Sequence, residues 1–427
     1  MSFEDIINKK KEQNPESRYK KFGLATNPFP KSGTANINES IDTTYFLPPI
    51  DSRVTDQVAQ YVADSLYSQD GTDDYKLIGT ITGDYGTGKT QLLLFAKALI
   101  QKQEKKAYVV YINNPGTKLS ELIGAIIENI GQEQFKKYLW MQIIDQIRND
   151  KTYKTSLLDF LPKGGLFPNK DPFTDENEAN HKLFIDSFLS QIGDRNKVKV
   201  KEFNQKFKEI IIRIITDKND NDDVIANYFY ELISEDFGIN KTWETLVSGS
   251  GQYLDKKVVK LLNAIISIVE DQGFERFYLL VDEFEDITSG RLTKKEVDNY
   301  TYNLRTLIDK ERRWCLLIAM TSQALTDLKN ISPPLVDRLT DREIKINRLI
   351  NNEAEKILIN YLNLARENKE NDLSPFQKET VDYLNSAAKG LPRLFLRRAY
   401  LLLERAIEEL TENDVITPEF AKKHLEE

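Results

Sequence analysis

The chain has little of what most catalytic and metal centres are built from: its 427 residues include one cysteine, two histidines and three methionines. Cys315 cannot form an internal disulfide, and its setting, Trp314-Cys-Leu-Leu-Ile-Ala-Met320, suits a packed core thiol better than a nucleophile. His181 and His424 have no Cys or His partner at ligand spacing, which argues against a zinc site and histidine-based catalysis. No apolar run approaches the roughly 20 residues that span a bilayer, and no charged-apolar-small signal pattern opens the sequence, so no membrane is expected and a reducing cytoplasm is the expected location. Basic charge is also short. A formal net charge of −8 and a pI of about 5.3 exclude the pervasive basic surface of a protein that coats nucleic acid. Two local basic segments remain, residues 1–31 with seven Lys/Arg against four acids and residues 194–209 with six against three. Each reads first as a solvated face, with DNA or a phosphorylated partner as the alternative.

What is there begins with Leu77-Ile-Gly-Thr-Ile-Thr-Gly-Asp-Tyr-Gly-Thr-Gly-Lys-Thr90, a G-x-x-x-x-G-K-T phosphate loop placed directly after a short β-branched run. Gly83, Gly86 and Gly88 permit a turn whose amides point inward as a nest for phosphate oxygens, with Asp84, Tyr85 and Thr87 between them. Lys89 is spaced to reach the β- and γ-phosphates, and Thr90 supplies a hydroxyl for Mg²⁺. The apolar stretch from Gln91 to Ile100 reads as a helix whose N-terminal dipole favours the anion. A bound nucleoside triphosphate is the expectation. A second motif, Phe277-Tyr-Leu-Leu-Val-Asp-Glu-Phe-Glu-Asp286, is an apolar run of strand length that ends abruptly in acids. At the C-terminal end of a parallel strand, Asp282 can hold the Mg²⁺ shell while Glu283 polarises the attacking water.

Around these motifs the pattern alternates. Residues 51–69 form an expected helix with Asp51 as N-cap, followed by the 77–82 strand, the phosphate-loop helix, a strand at 106–112 and a helix at 119–130. A gap of 193 residues from Lys89 to Asp282 is far more than one strand and two helices need, so most of residues 131–253 must be an insertion. Phe203, Phe207, Ile210, Ile211 and Ile214, then Ile225, Tyr228, Phe229 and Leu232, repeat at helical spacing. Their faces are expected to pack on each other or on the core, with a partner-binding surface as the second option. A helix at 253–270, one at 293–309 and a buried strand at 315–320 complete a layered α/β sheet, and from Asn351 only helices follow. Upstream, Phe22-Gly-Leu-Ala-Thr-Asn-Pro-Phe-Pro30 reads as a proline-punctuated strap packed on the core.

This order of phosphate loop, Asp-Glu strand, polar strand end, arginines and helical lid resembles the AAA+ ATPases. Within them it is most similar to the branch of origin-recognition-type replication initiators and transposition target-selection ATPases. The resemblance implies a P-loop AAA+ core with a parallel sheet, a large helical insertion and a C-terminal helical lid. The implied division is 1–50 arm and strap, 51–116 and 254–350 nucleotide-binding core, 117–253 mainly helical insertion, and 351–427 lid. It implies ATP as the nucleotide. Thr321 and Ser322 fall where the first sensor sits, with capping of the next helix as the competing reading. Arg338 resembles the arginine finger, with Arg342 second and a surface ion pair to Asp337 or Asp341 as the alternative. Arg393, in Gly390-Leu-Pro-Arg393, resembles the second sensor. Such arginines suit phosphoryl transfer because negative charge spreads over the equatorial oxygens, and a guanidinium supplied by a neighbour completes the site.

Taken together, these expectations describe an oligomerising, Mg²⁺-dependent ATPase switch or motor with composite ATP sites between identical subunits. It would act on DNA or on a nuclease- or transposase-type protein, with the insertion conferring partner specificity. A non-hydrolysing ATP-stabilised scaffold is the rival reading, and a small-molecule kinase is a third.

Overall fold

The computed structural model describes residues 18–32, 51–67, 75–103, 106–163, 169–193, 196–218, 222–234, 241–248, 257–412 and 414–425. Five strands, β1 (Leu77–Thr82), β2 (Ala107–Ile112), β3 (Arg276–Val281), β4 (Cys315–Met320) and β5 (Glu343–Lys345), form one sheet in the order β2-β3-β4-β1-β5. Every pairing is parallel, with Leu77 opposite Cys315 and Thr80 opposite Glu343. Parallel strands covered on both faces read as continuous apolar runs, and all six residues of β4 are buried. The strand β5 has no counterpart in the sequence reading, because it is three residues long and buries only Ile344.

One face of the sheet is covered by α1 (Ser52–Tyr67) and α2 (Lys89–Gln101), whose Val58, Tyr61, Leu66, Leu93 and Ala96 pack on Ile81, Leu317 and Ala319. The α1 helix starts as expected, with Asp51 Oδ1 accepting from the Arg53 amide at 3.0 Å. The other face carries α3 (Leu119–Ile130). Its apolar cluster runs without a break into the inserted helices α4 (Gln132–Asn149), α5 (Lys151–Leu158), α6 (Asp175–Glu178), α7 (His181–Ile192), α8 (Lys197–Lys218), α9 (Asp223–Ser234) and α10 (Lys241–Ser248). Of the two coverings open to the α8 and α9 faces, they take the first. Phe203, Phe207, Ile211 and Phe229 are buried among neighbouring helices, with Phe188 and Phe203 stacked at 5.0 Å. The α10 helix lies so close on α3 that a Cβ on Gly124 would stand 2.0 Å from the Val247 carbonyl oxygen. The chain returns through α11 (Val258–Glu270) and α12 (Lys294–Lys310), and α13 (Ser322–Ile331) and α14 (Pro333–Leu339) follow β4.

Past β5, residues 346–350 lead into a bundle of α15 (Asn351–Ala365), α16 (Lys378–Ala387), α17 (Pro392–Glu409) and α18 (Pro418–Leu425), which has a core of its own. The strap corrects an expectation here. Tyr19, Phe22, Leu24 and Phe29 bury themselves in this C-terminal bundle and not against the sheet. Ala25 N donates to Ala365 O at 2.8 Å, Phe29 meets Phe376 edge-on at 5.9 Å, and Lys21 Nζ donates to the carbonyls of Ile407 and Leu410 at the end of α17. Those carbonyls lack intrahelical partners, so a lysine is well placed there. Its apolar residues told that the strap must be covered, but not by which surface.

Candidate nucleotide-binding site

Because all strands run parallel, β1, β3 and β4 deliver their C-terminal ends to one edge of the sheet. From β1 emerges the loop Gly83–Gly88. Gly86 (φ +78°) and Gly88 (φ +102°) take left-handed conformations that other residues adopt only under strain. Gly83 is required for a different reason, since a Cβ there would lie 2.6 Å from Thr87 Oγ1 and 3.1 Å from the Ile346 carbonyl oxygen. Thr87 Oγ1 donates to Asp84 O at 2.8 Å, closing the turn. Gly88 then begins α2 without a side-chain cap, so the amides of the first turn are open to an anion. Lys89 is buried, and its Nζ donates to the carbonyls of Gly83 and Asp84, each at 3.3 Å. The Tyr85 ring lies 5.4 Å from that Nζ and is 71% exposed. A glycine-rich cradle at a helix N-terminus, with a buried ammonium beside it, fits a polyphosphate.

The acids stand at the end of β3. Asp282 is 2% exposed and accepts hydrogen bonds from Thr90 Oγ1 at 2.5 Å and Tyr111 OH at 3.1 Å through one carboxylate oxygen, and from the Glu283 amide at 2.9 Å through the other. Thr90 and Asp282 thus meet, as the two motifs predict. One hydroxyl and one carboxylate suit Mg²⁺, which keeps several waters and draws further ligands from phosphates. Among the described residues no group of three or more His, Cys, Asp or Glu could hold a metal unaided. Glu283 takes a left-handed backbone, φ +50° and ψ +35°, a strain of about 1–3 kcal/mol of the kind found where a side chain must be aimed. Burial, then the charges of Asp282 and Asp286, raises its carboxyl above the ordinary carboxylate range, and Lys89 and Arg393 oppose the shift.

The polar strand end behaves as a cap. Thr321 Oγ1 accepts from Ala324 N at 3.1 Å at the start of α13, and Ser322 is the first residue of that helix. Its strand β4 nevertheless lies between β1 and β3, so Thr321 emerges beside the start of the phosphate loop on one side and two residues beyond the level of Asp282 on the other. The predicted finger residues sit away from this chain's own loop. Arg338 forms a two-point ion pair with Asp309 of α12 at 2.5 and 3.0 Å, neither of the aspartates expected, and Arg342 pairs with Asp64 of α1. Arg393 does reach the loop: its amide donates to Gly86 O at 3.2 Å, and a Cβ on Gly86 would stand 3.0 Å from Arg393 Cβ.

Two contributors were not found from the sequence. Arg348, in the segment joining sheet and bundle, pairs with Asp84 of the loop at 2.8 Å, and Tyr111, the second-to-last residue of β2, supplies the hydroxyl on Asp282. Behind the loop is a cavity of about 230 Å³ lined by Val54, Gln91, Leu349, Asn360, Tyr361 and Leu396 among others. Its walls come from α1, α2, the joining segment, α15 and α17, and are mostly apolar, with a few amides and the charged Asp51, Arg53, Arg348 and Glu353, as suits a base-sized pocket.

No protein-family model matches the chain, and no curated protein does. Among solved structures it is similar to three from Aeropyrum pernix. The first is the ORC2 protein in ADPNP–ADP complexes, at 12% identity and TM-score 0.45, covering 89% of this chain and 68% of that one. The second is the ORC1 protein in complex with DNA, at 12% and 0.44, covering 90% and 67%. The third is the ADP form of ORC2, at 13% and 0.41, covering 88% and 67%. Identities and scores this low transfer no residue roles, so those rest on the geometry of this chain.

Proposed function

We propose that this chain is an ATP-binding and ATP-hydrolysing switch or motor of the AAA+ kind, which oligomerises and acts on DNA or on a nuclease- or transposase-type partner. One observation carries the reading: the order β3-β4-β1 brings the phosphate loop, Thr321 and the Asp282-Glu283 pair to one edge, with Thr90 and Asp282 joined at 2.5 Å. The amides of residues 83–91 and Lys89 hold the phosphates. Thr90 and Asp282 hold Mg²⁺, which when bound neutralises phosphate charge. Glu283 takes the proton of the attacking water, and a pure binding module has no use for a base so placed. Thr321 or Ser322 orients that water, and Arg393 brings a cation from the lid. Arg338 acts on the neighbouring subunit's site, consistent with its distance from its own loop. The adenine ring of the nucleotide lies in the cavity between core and lid. In this reading residues 51–116 and 254–350 are the nucleotide-binding core, 117–253 the inserted partner-selecting unit and 351–427 the lid.

The test is steady-state ATP turnover of the purified protein with and without duplex DNA, against Lys89→Ala as the blank. Turnover that rises with DNA and is lost in Arg338→Ala supports a DNA-responsive enzyme with composite sites. Turnover indifferent to DNA turns the reading towards a protein partner. No turnover above the blank, with ATP still bound, favours the non-hydrolysing scaffold.

A further inference from the structure

The exposed face of α17 has no task in the nucleotide site beyond its first residues. Arg393, Arg397, Leu401 and Arg405 follow one another at i, i+4 and so form a single stripe, all exposed, with Leu394 beside it. Among the described residues Arg393 and Arg397 form no ion pair, and Arg405 has only a rim partner, Glu408 at 3.3 Å. Glu404, the acid nearest in sequence, is turned to the flank and occupied there by Arg18, Tyr19 and Asn27 of the strap. The strap brings cations of its own: Lys21 is tied to the carbonyls closing α17, and Lys20 next to it is exposed. The strap from residue 18 and the arginine stripe, far apart in sequence, therefore share one body in a chain whose net charge is −8.

We propose that this face of α17, with the strap cations at its C-terminal end, binds the phosphate backbone of duplex DNA. The inference rests on the reading of the chain as an ATPase acting on DNA and assigns the surface. Charge complementarity carries it. Arg397 and Arg405 stand about 12 Å apart along the helix, with Arg393 about 6 Å nearer its N-terminus, and guanidinium groups on one face can each pair with a backbone phosphate. A phosphate surface carries no sequence information, so the binding is non-specific and strongly salt-dependent. Because the same helix begins with Arg393 on the phosphate loop, DNA on its outer face and nucleotide at its N-terminus hold one rigid element from both ends.

The experiment uses the full chain and a fluorescein-labelled duplex of about 30 base pairs, followed by anisotropy from about 50 to 200 mM salt. Arg397→Ala/Arg405→Ala should weaken binding about tenfold and make the log Kd against log salt slope shallower by about 1.8, two phosphate contacts at about 0.9 each. Lys163→Ala, which removes an exposed cation of the insertion paired with Asp159 and outside the C-terminal bundle, should change neither. An unchanged slope in the double variant overturns the assignment, as does a wild-type chain that binds no DNA. Loss of self-association in sedimentation with DNA affinity intact also overturns it and marks the face as a contact between copies. ATP turnover without DNA, measured on the same proteins, separates the two readings: if turnover is absent while the DNA result holds, the ATPase reading fails alone.

Discussion

Replacing Gly124 by alanine sets two opposite effects against each other at the joint between insertion and sheet layer. In an isolated helix the change is favourable by about 0.8–1.0 kcal/mol, because alanine is the better helix former. At this position the new Cβ would meet the Val247 carbonyl oxygen at 2.0 Å and its carbon at 2.7 Å, whereas ordinary Cβ contacts begin near 3.4 Å. The obstacle is backbone of α10 and not the end of a flexible side chain, so α3 and α10 must separate by more than an ångström. Overpacking of this kind costs about 1–3 kcal/mol, and a backbone obstacle belongs in the upper half of that range. The expected net loss is about 1–2 kcal/mol. Trp243, buried on α10 with its ring 5.9 Å from that of Phe135, reports the displacement. Urea unfolding followed by tryptophan emission should show a native spectrum already shifted to the red and a midpoint lowered by about 0.5–1 M for a slope of about 2 kcal/mol/M. An unchanged or raised midpoint would mean that propensity wins and that α10 does not sit on α3, which would undo the account of how the insertion is held.

Arg338→Ala should leave ATP affinity unchanged and cost little stability, since an exposed pair such as Arg338–Asp309 contributes about 0–1 kcal/mol, while turnover of the assembled protein falls by about 10³–10⁵; a matching loss of ATP binding would place Arg338 elsewhere. Glu283→Gln should retain ATP in an assembled state without releasing phosphate, which gel filtration with labelled nucleotide checks, and equal turnover would remove Glu283 as the base. Because the Glu283 carboxyl titrates above the usual range and must be ionised to accept a proton, turnover should fall as pH drops, with its acid limb at higher pH than an unperturbed glutamate near about 4.3 would give; a pH profile flat down to that value contradicts this. Tyr111→Phe removes a half-buried donor to a carboxylate, an interaction of about 1.5–3 kcal/mol, and should raise the Mg²⁺ concentration needed for half-maximal turnover; an unaltered Mg²⁺ dependence would free Tyr111 of this part.

Contiguous chemistry was legible in the sequence. The residues from Leu77 to Thr90 and from Phe277 to Asp286 each carry strand, turn and functional group within a short stretch, so periodicity and spacing sufficed to join Thr90 to Asp282. Single residues that meet across the fold were not. Arg348 and Asp84 lie 264 positions apart and Tyr111 and Asp282 lie 171 apart, and neither pair leaves a local pattern. The same holds for Asp309: the alternative to a finger role for Arg338 was a pair with Asp337 or Asp341, which are near in sequence, and helix geometry turned it instead to α12. The strand β5 was invisible because one buried isoleucine in three residues has no period.

The strap gives the chain an unusual order of assembly. Residues 19–29 leave the ribosome before the sheet and the insertion, yet the helices that bury Tyr19, Phe22, Leu24 and Phe29 are made after both. In topological terms the nucleotide-binding layers are a long excursion out of a small helical body that opens and closes the described chain. A fragment stopped before Asn351 therefore leaves four apolar side chains without cover, and a separately made 351–427 segment lacks the lysine that closes α17. Joining residue 425 to residue 18 through a short linker and opening the chain elsewhere should keep that body whole, so circular permutation divides the protein along its natural seams better than either truncation.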